Sequence, residues 1–130
     1  MAGEGISTAN LANKILDHVR GGTAWTQPAS LWIKLHTAAP GANGTTAPSA
    51  VTTRSQATYA AATNGTIALT GTNPSFTMTA TETITHISVW DNSTAGNFLW
   101  SAALAQSRSV VATDTLTLTS AGLTFGPLAA

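Results

Sequence analysis

From Gly22 onward the spacing between apolar residues drops to two and stays there, a periodicity that belongs to strands with one buried face. Ser30 to Thr37 sets Leu31, Ile33 and Leu35 on one face and Trp32, Lys34 and His36 on the other. Further strand signals follow at Val51–Ala60, Thr66–Thr70, Ser75–Ala80, Thr83–Trp90, Asn97–Leu104, Asp114–Thr119 and Gly122–Phe125. Turn chemistry separates them. Asn64-Gly65 is the pair a two-residue type I′ hairpin favours, because both central residues need positive φ. Asn73-Pro74 and Asp91 to Gly96 are also turn-like. Short strands at this spacing predict a mainly β protein, a single antiparallel β-sandwich (jelly-roll-like) over residues 1–130.

Two stretches depart from that pattern. Between Ser7 and Arg20, Leu11, Ile15 and Val19 recur every four residues, Ala12 and Leu16 widen the stripe, and Asn13, Lys14, Asp17 and Arg20 fall opposite. Ser7 or Thr8 caps the start of this one N-terminal α-helix, Gly21-Gly22 ends it, and Asp17 and Arg20 are spaced to pair. Residues Ala38 to Ala50 hold two prolines, two glycines and no large apolar side chain, which predicts a long loop.

The surface of such a body is unusual in being almost uncharged. Lys plus Arg and Asp plus Glu number five each, 8 % of the chain, against roughly 25 % in ordinary soluble domains. No basic cluster exists for nucleic acid or for an anionic membrane, and no apolar run reaches the length of a membrane helix. The start of the chain lacks the basic and apolar regions of a signal peptide, so synthesis in a host cytoplasm is expected. Thr and Ala, two dozen each, supply strand faces that stay wet without charge. A particle with so little charge repulsion suits an assembly better than a free monomer.

Chemistry is sparsely provided for. There is no cysteine, hence no disulfide, thiolate metal site or Cys nucleophile. His18, His36, His86, Glu4, Asp17, Glu82, Asp91 and Asp114 form no local catalytic motif, and no phosphate-binding loop is present, so neither enzyme activity nor a metal or cofactor is expected. The Asn-x-Ser/Thr matches at Asn43, Asn64 and Asn92 are what chance gives in so hydroxyl-rich a chain. Trp100 aligns with Phe98, Ala102 and Leu104 as a core residue. Trp25 falls in a loop, and Trp32, beside Lys34 and His36, should point away from the core.

Asn13-Lys14-x-Leu16-Asp17-His18-Val19-x-Gly21-Gly22-Thr23-Ala24, then Pro28 and a strand ending Leu35-His36-Thr37, resembles a family of small tailed-bacteriophage virion proteins. The likeness continues through Thr85-His86-x-x-x-Trp90-Asp91, Gly96-Asn97-x-Leu99-Trp100, Asp114-Thr115-Leu116 and Gly122-Leu123. Thr53-Arg54-Ser55-Gln56 stands where members commonly carry Tyr-Ala-Arg-Gln. Members are labelled head-decoration or tail-fibre protein, so the resemblance implies a structural virion protein.

Within that class, a chain of this size without heptads or a shaft suggests a capsid decoration (cement) protein. It would dock as a homotrimer on the major capsid protein or other virion subunits. The alternative is a tail-fibre or tail-tip module contacting the host surface. Candidate assembly contacts are Lys14, Asp17, Arg20, Trp25, Trp32, His36 and His86.

Overall fold

The computed structural model describes residues 3–129. Its strands are β1 (Leu31–His36), β2 (Ser55–Ala57), β3 (Thr66–Ile67), β4 (Ser75–Thr77), β5 (Glu82–Trp90), β6 (Phe98–Val110), β7 (Thr115–Thr117) and β8 (Leu123–Thr124). All pairings are antiparallel. One sheet runs β2-β1-β5-β6, and two ribbons, β3-β8 and β4-β7, share its hydrophobic core, a sandwich-like arrangement of the expected class.

The alternation of β1 dictates the two faces of the sheet. Ile33 faces across to Val89 and Leu35 to Ile87, and on the far side of β5 these pair with Trp100 and Ala102. Ile33, Leu35 and Val89 are 0 % exposed. Phe76, Met78 and Leu118 reach this layer from the ribbon side. Tyr59 joins the same body, its hydroxyl donating to the Ala121 carbonyl at 2.6 Å, and burial pushes that phenol up to about 12. Among the described residues, the Trp100 indole N–H is the one buried side-chain polar atom without a partner.

The opposite face of the sheet, which reads as polar, is covered. Segment 3–7 runs beside β6, with Ser7 N–H donating to the Leu99 carbonyl and Ser101 N–H to that of Gly5. Loop 38–50 lies along the other edge, where Thr37 N–H donates to Ala47 and Ser49 N–H to Leu35. The two covers meet through the Gly41 N–H and the Gly3 carbonyl. Glu82 holds the loop's exit, accepting from the Ser49 hydroxyl and from the Ala50 N–H. Beneath them the side chains make one polar chain. The Trp90 indole N–H donates to Ser88 Oγ, Ser88 lies 2.7 Å from His36 Nε2, and His36 Nδ1 lies 2.9 Å from the Thr46 carbonyl. Every link is satisfied when His36 carries its proton on Nδ1 and is neutral, so that Ser88 donates to Nε2. Burial, foremost, lowers the His36 pKa from 6.5.

The helical run, Thr8 to Val19, has the expected extent but is not α-helical throughout. A π-helical turn, Thr8–Ala12, leads into α1 (Asn13–Val19), with the Ser7 hydroxyl accepting from Asn10 N–H. Gly21, at φ +80°, ends it, and Gly22 N–H donates to the Asp17 carbonyl. Leu11 is buried and Ile15 half-buried, but Leu16 and Val19 are exposed. The expected apolar stripe therefore packs only at its N-terminal end, because the first turn is what rests on β6.

Candidate functional site

The last strand residue of β5 and the first of β6 are joined by a loop, Asp91–Asn97, that is braced from both sides. Asp91 Oδ1 accepts from Asn97 N–H at 2.7 Å and Oδ2 from the Asn97 amide at 2.9 Å. Arg54 donates from Nη1 to the carbonyls of Asn92 (2.7 Å) and Ala95 (2.8 Å), while its guanidinium sits 4.1 Å from the centre of the Trp90 ring. Ala95 and Gly96 both have positive φ, and a Cβ on Gly96 would lie 2.5 Å from Asp91 Oδ1, so glycine is required there. Such a loop is ordered before any ligand arrives, which spares a binding partner the cost of ordering it.

Beside this loop, the end of α1 and the segment after it enclose a cleft of about 420 Å³. Trp25 forms one side. Its backbone N–H donates to His18 Nδ1, and its half-buried ring packs on the core. Lys14 and Asp17 come from the helix, Asp91 and Asn97 from the braced loop, and Asn10 from the first helical turn. Asn10 is itself fixed, donating to the Phe98 carbonyl at 3.0 Å. Asp17 Oδ1 accepts from Arg20 Nε at 2.8 Å, the expected helical pair. A second groove, of about 730 Å³, adjoins: Asn10 lines it too, with Glu4, Ile6, Asn43 and Gly96 around it.

Of the residues that the sequence nominates for contacts, Lys14, Asp17 and Trp25 thus share one cleft, and Arg20 stands beside it through its pair with Asp17. The remaining three lie elsewhere, on the covered face. Trp32 is half-buried opposite Trp90, its indole N–H donating to Ser30 Oγ. His86 is half-buried, with Nδ1 2.7 Å from Thr85 Oγ1 and Nε2 3.6 Å from Glu4. His36 has no surface to offer a partner. At 0 % exposure it is an internal link of the fold, because loop 38–50 closes over a strand face that alternation alone marks as outward. Sequence reasoning passed over Asn10, Asn97 and Arg54. The available signal was the turn Asp91 to Gly96, whose acid at one end and amide at the other suit a side-chain-closed loop.

Among the described residues no group of three or more His, Cys, Asp or Glu converges as metal ligands would. The cleft instead offers amides, a cation, carboxylates and an indole, groups that bind by hydrogen bonds and stacking. A family model described as Podophage GP4 fiber I protein gp80 matches residues 5–126. No curated protein matches the chain.

Proposed function

Because the chain belongs to this family of phage fibre proteins, we propose that it is a structural module of the tail fibre or tail tip that touches the host surface. The observation that carries the reading is the family match, which runs over nearly the whole chain under the description of a fibre protein. Size and the lack of heptads or a shaft suggest a head-decoration role, whereas the fibre description supports the tail reading. The braced loop and the open cleft beside it support a contact role, since recognition surfaces are built from loops held on a rigid scaffold. In this reading the chain works as a closed multimer, a trimer being the expected state, associated through uncharged Thr and Ala surface.

Competition tests the host contact. Purified protein, added in excess to host cells before phage, slows adsorption several-fold, and the Trp25→Ala protein competes poorly. Unchanged adsorption in the presence of folded wild-type protein, together with heads that lose heat resistance when the protein is missing, would reject the proposal.

A further inference from the structure

We propose that the Trp25 cleft and the adjoining groove form one binding site for a neutral glycan chain, with Trp25 as the stacking platform and Asn10 as the bridge between subsites. The inference rests on the fibre reading above and names the ligand class of that same surface. Three features point to it.

The first is chemical variety. A pyranose offers an apolar C–H face and a rim of hydroxyls that both donate and accept. The cleft meets the first with the exposed part of the Trp25 indole and the second with Asn10, Lys14 and Asn97 around it.

The second is charge. Two carboxylates, Asp17 and Asp91, line the cleft with the Lys14 ammonium, and the Arg20 guanidinium pairs with Asp17, so the charges at the cleft balance. An acidic sugar therefore meets no net cationic charge to hold it, and a basic peptide finds both carboxylates already engaged by Arg20 and Asn97.

The third is extent. Asn10 lines both depressions, and the Asp91–Asn97 loop lends Asp91 and Asn97 to one and Gly96 to the other. Their sizes, about 420 and 730 Å³, each fall within the roughly 300–1,000 Å³ of ligand clefts, so the pair suits a polymer better than a single sugar.

Labelled full-length protein on an array of neutral and acidic bacterial surface polysaccharides tests this directly. The expected result is binding confined to neutral polysaccharides, weakened about 30-fold by Trp25→Ala, a loss typical of a stacked Trp anchor. Lys14→Ala, at an exposed position outside the core, serves as the second variant and weakens binding without changing the melting curve. Blank arrays, binding to acidic polysaccharides only, or full binding by both variants would overturn the inference. Phage adsorption in the presence of the same protein separates the two readings. Competition with a blank array retains the fibre role and points to a host protein as the receptor, whereas no competition and no binding removes both.

Discussion

Replacing Gly44 by alanine is expected to destabilise the fold by about 2–5 kcal/mol, while the same change at Gly71 costs about 1–2 kcal/mol. The two glycines have nearly the same backbone, φ +72° and +68°. They differ in what surrounds them. A Cβ on Gly71 meets nothing within 4 Å, so only the left-handed conformation opposes it. A Cβ on Gly44 would lie 2.5 Å from Cδ1 of Phe98, a ring that is 3 % exposed and pinned at 5.6 Å from Trp90. That ring cannot retreat, so the loop must lift, and lifting it uncovers the polar chain beneath. Urea melts of the two variants measure the difference. Equal losses would mean that loop 38–50 is not packed on the sheet as described.

Ser88→Ala is the second large effect, about 2–6 kcal/mol, because one hydroxyl serves two buried groups. Ser88 accepts from the Trp90 indole N–H and donates to His36 Nε2, and both residues are buried. Removing it orphans a donor and an acceptor at about 1–3 kcal/mol each. A urea midpoint lower by about 1–3 M follows.

The same chain of bonds sets a pH dependence. The folded state holds His36 below its ordinary 6.5, so as pH falls the unfolded chain takes up the proton first. The contribution of His36 to stability is therefore complete above about pH 6.5 and drains as pH falls from there toward the lowered folded value. His36→Asn flattens that part of the stability curve. A wild-type curve that instead rises on acidification through this range would contradict the neutral assignment.

Much of this body was legible one strand at a time. The period-two pattern of Leu31, Ile33 and Leu35 names the buried face correctly, and Asn64 and Gly65, at φ +52° and +73°, make the two-residue turn that this pair favours. What escaped was whatever depends on distant segments lying over one another. Trp32, Lys34 and His36 look outward by alternation, yet loop 38–50 closes over His36 and is held there by backbone hydrogen bonds that leave no hydrophobic trace. For the same reason Leu16 and Val19 looked buried. Helical spacing says which residues share a stripe and not how far along it the neighbouring sheet extends.

Strand β6 runs on to Val110, beyond the expected Leu104, because after a bulge Arg108, Ser109 and Val110 pair with Ile84, Thr83 and Glu82 of β5, and residues 106–109 show no apolar alternation. The cleft was half legible. Lys14, Asp17 and Trp25 stood out as side chains with no evident core role, but Asn10 and Asn97 gain their significance only from the hydrogen bonds that fix them.

The central claim is that this virion protein is a fibre module at the tail. Cryo-electron microscopy of intact particles tests it most directly, since the folded chain can be recognised by its four-stranded sheet and flanking ribbons. Density for the fold among the tail fibres or at the tail tip, with bare capsid faces, is the expected result. The same density repeated over the head lattice and missing from the tail would contradict it.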